Sequence, residues 1–247
     1  MNRRLSILLC VWVSVASLAA EKISSGLIAK GTKWETAFYQ RDSGLPGPIV
    51  LFTGGVHGNE PAGARAAEQI RHWPITRGKL IVIPRANVPG LREGVRFLPG
   101  EPPQLRDLNR QFPKTKAPPD AKGVLGKALW KFIGEQKPDW VIDLHEGYDF
   151  HQLNSKSVGS TIIDAKGKAA DAVVPLMLAA VNAGIAEPKK KLIRLRYPVD
   201  GSLARAAHER LHATALILET TTKSQPLSRR VRQHRLMVHT LLKHLKM

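Results

Sequence analysis

The sequence predicts an α/β fold, a β-sheet covered on both faces by helices, from three observations. Short β-rich apolar runs alternate along the chain with longer segments of helical periodicity. Apolar residues make up 43% of the 247 residues, which is enough for a sizeable core. No internal repeat or low-complexity tract interrupts this pattern, so residues 21–247 are predicted to form one domain.

Each predicted element follows from its local pattern. Strands are short apolar or alternating runs, expected at residues 33–40, 49–53, 79–84, 140–144, 161–164, 192–197 and 213–218. Helices are alanine-rich or repeat apolar residues every three to four positions, and are expected at residues 60–72, 124–136, 166–183, 202–211 and 227–245. Residues 87–122 are rich in Pro, Gly and Arg and predict a long loop, which in a compact domain is usually functional or mobile.

Residues 1–20 are predicted to be a cleaved export signal. Arg3 and Arg4 begin the segment with positive charge, residues 5–15 are apolar apart from serine, and small residues follow. A membrane anchor is the alternative, but the apolar run is short for a membrane span. The only cysteine, Cys10, lies in this signal. The mature chain would therefore lack cysteine, which suits an oxidising bacterial periplasm or exterior.

The charge is strongly positive, with 38 Lys and Arg against 20 Asp and Glu and a formal net charge of +18. Such a charge indicates an anionic neighbour, such as nucleic acid, anionic lipid or an acidic cell-wall polymer. Nucleic acid is disfavoured by the export signal, by an aromatic content of 6% and by the lack of a recognised motif. Seven Lys or Arg and no acidic residue follow Glu219, so a cationic, non-catalytic envelope-binding protein on the same fold is a second hypothesis.

The most informative motif is Gly-Gly-Val-His-Gly-Asn-Glu-Pro at residues 54–61, between a predicted strand and a predicted helix. Its glycines permit a tight turn that can direct His57 and Glu60 at one point. His145 directly follows the buried strand predicted at residues 140–144, and sites in α/β sheets gather at the carboxyl ends of strands. Two imidazoles and a carboxylate suit zinc, and three protein ligands leave one position for water.

Two further motifs end or follow predicted strands. Glu219 ends an apolar strand and would act as general base and acid, taking a proton from zinc-bound water and passing it to a leaving nitrogen. Asn109 and Arg110 offer an amide and a guanidinium fork that can bind a carboxylate. A serine or cysteine hydrolase has no support, because the chain has no G-x-S-x-G motif and its cysteine is in the signal.

The motifs H-G-N-E, D-L-N-R-x-F, D-L-H-E and a late strand ending in Glu together resemble the zinc metallocarboxypeptidases. The sequence is most similar to their succinylglutamate desuccinylase and aspartoacylase branch, with the motifs in the family order. This resemblance implies a three-layer α/β/α fold around a central mixed sheet of about eight strands. It also implies one zinc ion per chain, held by His57, Glu60 and His145.

The resemblance implies roles for the residues around the zinc ligands as well. Glu219 is the expected catalytic base and acid, and Asn109 and Arg110 are expected to bind the substrate carboxylate. Asp107 is expected to hydrogen-bond His57 and fix its tautomer.

The family's second arginine, which polarises the scissile carbonyl, usually lies in an R-F/Y stretch just before D-L-N-R. Arg96, followed by Phe97, fits that pattern. Residues 99–106 look like an insertion between the two motifs, however, so Arg106 is a competing assignment.

The sequence therefore predicts an exported zinc hydrolase that cleaves an amide bond next to a carboxylate. It could be a carboxypeptidase or a deacylase of N-acyl amino acids. Only 28 residues follow Glu219, where this branch usually carries a further β-rich domain, so we expect an open cleft that favours a peptide or a bulky N-acyl amino acid. A cell-wall peptide is an attractive substrate. Tyr148 and Tyr197 are candidates for a tyrosine that closes over the substrate, with a packing role as the alternative.

Overall fold

The computed structural model describes residues 21–247, and the predicted export signal lies outside the described residues. The strands are β1 (Lys22–Ile28), β2 (Thr36–Asp42), β3 (Ile49–Gly54), β4 (Lys79–Ile83), β5 (Trp140–Gly147), β6 (Thr161–Asp164), β7 (Ile193–Arg196) and β8 (Thr214–Thr221). The helices are α1 (Pro61–Ile70), α2 (Val88–Glu93), α3 (Val124–Gln136), α4 (Lys168–Asn182), α5 (Leu203–Leu211) and α6 (Leu227–His244). No helix within residues 21–247 is both long and apolar enough to cross a membrane.

The eight strands form one mixed sheet in the order β1-β2-β4-β3-β5-β8-β6-β7. The central strands β4, β3, β5 and β8 are parallel, whereas β1, β2 and β6 run antiparallel to their neighbours towards the centre. Parallel central strands end at a common edge, and that edge is where ligand sites form in such sheets. The expected mixed sheet of about eight strands is confirmed.

Helices cover both faces of the sheet. Along β5, Trp140, Ile142 and Leu144 belong to a core cluster shared with α1, α4 and α6. Val141 points to the opposite face, where α3 and α5 pack against the sheet in a second cluster. The buried central strands read as continuous apolar runs because each face of the sheet has its own core. The three-layer α/β/α arrangement is confirmed.

Four elements, β1, α2, β5 and β8, differ from the sequence-based prediction. Strand β1 has no counterpart in the predicted elements, because Lys-Ile-Ser-Ser-Gly-Leu-Ile is a mostly exposed edge strand that depends on pairing with β2. Residues 87–122 are not all loop, since they contain α2, whose N-cap Asn87 accepts a hydrogen bond from Gly90 N at 3.0 Å. Strands β5 and β8 both run three residues beyond their predicted ends, because they remain paired there, with His145 opposite Glu219.

Candidate metal centre

His57 and Glu60 are brought together by the turn between β3 and α1. Gly55 has φ of +65°, a left-handed conformation that favours glycine. A Cβ atom at Gly58 would lie 2.0 Å from the backbone carbonyl carbon of Gly90, so only glycine lets these two segments meet. The turn buries His57 and Glu60, with 3% and 4% of their surfaces exposed.

His145 completes a compact group of three. Its Nδ1 atom lies 2.9 Å from Glu60 Oε2, while Nδ1 of His57 lies 2.8 Å from the other oxygen of the same carboxylate. Ligand atoms of the three residues all lie within 4.8 Å of one another, and all three residues are buried. Two imidazole nitrogens thus converge on one carboxylate.

The far nitrogen of each imidazole is held by a second carboxylate. His57 Nε2 lies 3.1 Å from Asp107 Oδ1, and His145 Nε2 lies 2.7 Å from Asp143 Oδ2. A proton on each Nε2 is therefore stabilised, which directs the Nδ1 lone pairs at Glu60. The 2.8 Å approach of His57 Nδ1 to Glu60 does not have hydrogen-bond geometry, so that buried nitrogen has no hydrogen-bond partner among the described residues.

These contacts fit a metal ion. Lone pairs of two imidazoles that face one carboxylate repel it unless a proton or a cation lies between them. Neutral imidazole nitrogens and a carboxylate oxygen are a donor set that zinc accepts, and carboxylates on the outer nitrogens are the usual support for metal-bound histidines. His57, Glu60 and His145 therefore fit a divalent metal, most naturally zinc.

The charges agree with this arrangement. Burial works to raise the pKa of Glu60, but the facing His57 and His145 hold it well below its ordinary value. Burial works to lower the pKa of His145, but Asp143 and Glu60 outweigh burial and raise it well above its ordinary value. Without metal the group holds its charge balance with a proton, and a cation would replace that proton.

Glu219 lies beside this group, opposite His145 in the β5–β8 ladder. Its Oε2 atom is buried and has no hydrogen-bond partner among residues 21–247. Burial, reinforced by the charges of Glu60 and Asp143, raises the pKa of Glu219 to about 8. A carboxyl group with this pKa can both accept and donate a proton near neutral pH.

A cleft of about 650 Å³ opens above these residues, and several cations and polar groups line it. Arg96 is among them, and its Nη1 donates to Glu60 Oε1 at 2.6 Å. Arg110 also lines the cleft. Arg106 does not, because its guanidinium stacks on the Phe97 ring, 4.4 Å from the ring centroid.

Asn109 is fixed by the fold and still has a donor to offer. Its Oδ1 accepts a hydrogen bond from Leu203 N at 3.0 Å, at the start of α5. Its Nδ2 lies 3.4 Å from His145 Nε2, an atom already engaged with Asp143. The amide group of Asn109 therefore faces the cleft with hydrogen-bonding capacity left for a ligand. Tyr148 and Tyr197 also line the cleft and are more than half exposed.

The structure adds two residues to which the sequence analysis gave no role. Asp143 precedes His145 by two positions in β5, so both side chains point to the same face, and this spacing could have identified it. Glu146 points to the other face and accepts a hydrogen bond from Ala62 N at 3.0 Å, in the first turn of α1. Its own backbone N donates to Glu60 Oε2, which ties the end of β5 to the start of α1.

Comparison with protein families gives one match. The model of the succinylglutamate desuccinylase/aspartoacylase catalytic domain matches residues 46–245, which is most of the chain and includes every site residue described above. No curated protein matches the sequence significantly.

Several solved structures share the fold. The mDAP-bound form of Helicobacter pylori Csd4, described as a D,L-carboxypeptidase, superposes with a TM-score of 0.64 at 22% identity, over 81% of this chain and 51% of that one. A metallopeptidase candidate from Shewanella amazonensis gives 0.67 at 19% identity, over 90% and 87% of the two chains. A succinylglutamate desuccinylase/aspartoacylase from Rhodobacter sphaeroides gives 0.64 at 19% identity, over 91% and 65%. The chain spans about half the length of the Csd4 structures that it matches.

Proposed function

Because the chain belongs to the succinylglutamate desuccinylase/aspartoacylase family of hydrolases, we propose that it is an exported, zinc-dependent enzyme that cleaves an amide bond next to a carboxylate. One observation supports this proposal above the others. The facing group of His57, Glu60 and His145 lies beside the buried carboxyl of Glu219, whose Oε2 has no hydrogen-bond partner in the described part of the chain, and arginines line the cleft around them.

His57, Glu60 and His145 are the proposed ligands of one zinc ion. When bound, zinc supplies a Lewis acid for the substrate carbonyl and lowers the pKa of water. Asp107 and Asp143 hold the two histidines in the tautomer that leaves Nδ1 free to bind.

Glu219 is the proposed general base and acid. Its carboxylate takes a proton from the attacking water as the new C–O bond forms at the amide carbon. It then gives that proton to the amide nitrogen as the C–N bond breaks, so the products are a carboxylic acid and an amine. The pKa of this carboxyl is about 8 in the metal-free protein, and the charge of a bound zinc ion would lower it towards neutral pH, where proton transfer in both directions is accessible.

Arg96 is the proposed second group on the scissile carbonyl. It lines the cleft beside Glu60, whereas Arg106 stacks on Phe97 outside the cleft. Guanidinium donors directed at a developing oxyanion lower the barrier most where water is excluded. Arg110 and Asn109 are proposed to bind the substrate carboxylate, because both line the cleft and both have donors to offer.

The proposed substrate is a peptide or an N-acyl amino acid with a free carboxylate, and in the periplasm or outside the cell a cell-wall peptide. The fold shared with Csd4, which has been solved bound to mDAP and to a tripeptide, supports this choice. An anionic cell-wall polymer is the proposed neighbour for a chain with a net charge of +18.

Hydrolysis of muropeptides and of N-acyl amino acids, with and without a chelator, tests the proposal. We expect chelation to abolish hydrolysis and zinc to restore it, and we expect Glu219→Gln to lower kcat by about 10²–10⁴-fold. Glu135→Gln, at an exposed position on α3, is the matched control and should keep full activity. Full activity of Glu219→Gln would overturn the mechanism. A protein without bound zinc that binds anionic polymer tightly would instead be the non-catalytic envelope-binding protein.

A further inference from the structure

Helix α6 carries a continuous row of basic side chains on its solvent face. The row, which we call the α6 stripe, consists of Arg229, Arg232, Arg235, His239 and Lys243, and all five are exposed. At about 100° per residue these positions fall within ~120° of the helix circumference, and the row extends for ~21 Å. Its spacing of three or four residues places the side chains on one face.

The charges of the stripe are not neutralised by neighbours. No salt bridge within residues 21–247 involves Arg229, Arg232, Arg235 or Lys243, although Arg230 on the inner side of the helix pairs with Glu146. No Asp or Glu occurs after Glu219. Like charges repeated along a helix destabilise it slightly, and an anionic ligand along the row would offset that repulsion.

Two grooves run along the side of the stripe that faces α1 and the residues after it. One, of about 780 Å³, lies between Trp73 and the stripe residues Arg235 and Lys243. The other, of about 360 Å³, is lined by Arg65 and Arg232, and neither of these two has an acidic side chain in its lining. The guanidinium of Arg235 lies over the Trp73 ring, 5.6 Å from the centroid, which holds this cation at the groove. A third groove, of about 620 Å³, lies on the α4 side of the stripe, and its one acidic side chain, Glu187, is paired with Lys190.

A polymer suits this surface better than a membrane. A helix that lies on a membrane presents large apolar side chains beside its basic ones. The exposed large apolar residues of the described chain all lie outside α6. The apolar side of α6, including Val238 and Leu241, is instead buried in the core shared with α1 and α4. A single row of cations flanked by grooves fits an extended chain with repeated anionic groups.

We propose that the α6 stripe is a binding surface for a linear polyanion, a polymer with repeated carboxylate or phosphate groups. Arg230, next to the first stripe residue, reaches Glu146 at the carboxyl end of β5, so this end of the stripe lies near the sheet edge that carries the metal ligands. A polymer along the stripe would lead towards the cleft. The inference gives the anionic neighbour of the proposed function a location, but its binding does not depend on hydrolysis.

Two variants with equal charge change test this assignment. The stripe variant combines Arg229→Gln, Arg232→Gln, Arg235→Gln and Lys243→Gln. The control variant combines Lys116→Gln, Lys122→Gln, Lys127→Gln and Lys137→Gln, all exposed and on or beside α3 at the opposite face of the sheet. Fluorescence anisotropy measures binding to poly-glutamate, to polyphosphate, to neutral dextran and to vesicles of phosphatidylglycerol and phosphatidylcholine in equal parts. Circular dichroism confirms that both variants are folded.

We expect the stripe variant to bind polyanions about tenfold or more weakly at low salt, with a smaller salt dependence of binding. The control variant should change the affinity for polyanions by less than about threefold. Preference for poly-glutamate or for polyphosphate identifies the anion, and either result supports the proposal. Equal losses in the two variants, no binding by the parent protein, or binding to vesicles alone would overturn it. Hydrolysis by the stripe variant should be unchanged, so failure of the proposed enzyme activity remains distinct from failure of this surface.

Discussion

Glu60 is the residue around which the site is organised. It is the N-cap residue of α1, yet its side chain makes no capping hydrogen bond, and the donor at Ala62 is taken by Glu146 instead. Its carboxylate is therefore free to face His57 and His145. A helix N-terminus also favours a negative charge, which adds to the effect of the two histidines on this residue.

The support of His145 by Asp143 is testable with one substitution. Asp143→Asn keeps an acceptor near Nε2 but removes the charge that stabilises this tautomer, so we expect zinc affinity to fall by about 10–100-fold. Competition against a zinc chelator measures the change, with Asp120→Asn at an exposed loop position as the control. Equal affinities for the Asp143 variant and the parent would show that Asp143 does not tune the metal.

Glu219 predicts a pH dependence of stability in the metal-free protein. Its pKa is about 8 when folded and near 4.5 as an ordinary Glu, so the folded state keeps its proton over a range in which the unfolded chain has lost it. Stability contributed by this residue therefore falls as pH rises from about 4.5 to about 8, and the loss is complete above that range.

Glu219→Gln, a neutral side chain of the same shape, should remove that loss. We expect metal-free Glu219→Gln to be more stable than the parent at pH 8 by on the order of a few kcal/mol, and the two to converge near pH 4. Urea unfolding in the presence of a chelator measures both curves. If the free energies of unfolding of the two proteins changed with pH in parallel, the raised pKa of Glu219 would be contradicted.

At the scale of elements, α6 contacts the end of β5 on the face of the sheet opposite to His145. Arg230 forms a buried ion pair with Glu146, which in turn binds α1 and the end of β5. Next to it, Thr220 Oγ1 lies 3.2 Å from Nε2 of the fully buried His234, whose pKa is lowered by burial to about 3, so this imidazole is neutral. Helix α6 thus helps to hold the strand ends that carry the candidate metal ligands.

Removing the side chain of Arg230 should therefore destabilise the folded protein. We expect Arg230→Gln to lower the free energy of unfolding by about 3–5 kcal/mol at pH 8, because Glu146 would remain as an unpaired buried charge. The loss should be smaller at pH 5, where burial already raises the pKa of Glu146 and a proton can replace the arginine. Arg229→Gln, one residue away and exposed, should change stability by less than about 0.5 kcal/mol. Equal effects at the two positions would show that the buried pair is not stabilising.

The elements that could be predicted from sequence are those whose pattern is local. Strands β3, β5 and β8 are apolar runs, and α3 repeats apolar residues at helical spacing, so both types follow from periodicity. Strand β1 has little apolar content and is formed by pairing with β2. That pairing leaves no pattern in the local sequence. Helix α2 has six residues, too few for a periodicity to appear.

The site residues show the same division. His57, Glu60, His145 and Glu219 could be selected because each stands at the end of a recognisable strand or turn. Choosing between Arg96 and Arg106 requires the path of the intervening loop, and that path depends on contacts such as the stacking of Arg106 on Phe97. The roles of these residues in catalysis remain predictions.

For the whole molecule, metal binding should contribute to stability. The three proposed ligands come together only in the folded chain, so zinc binds the native state in preference to the unfolded state. We expect zinc at about 100 times its dissociation constant to raise Tm by roughly 5–10 °C. Differential scanning calorimetry measures the shift, and magnesium, which prefers oxygen ligands, should give none. His57→Ala should abolish the zinc effect, and an undiminished shift in that variant would place the ion elsewhere.

The distance along the chain between the proposed ligands has a consequence for biogenesis. Glu60 and His145 are separated by 85 positions, and the strand that carries Glu219 is among the last elements of the chain. Closing loops of this length lowers the conformational entropy of the chain before the contacts that stabilise the fold have formed. Such topologies therefore fold slowly. Before the central strands have paired, only His57 and Glu60, three residues apart, are close enough to bind one ion. Capture of the metal is therefore expected late in folding, after the central strands have docked.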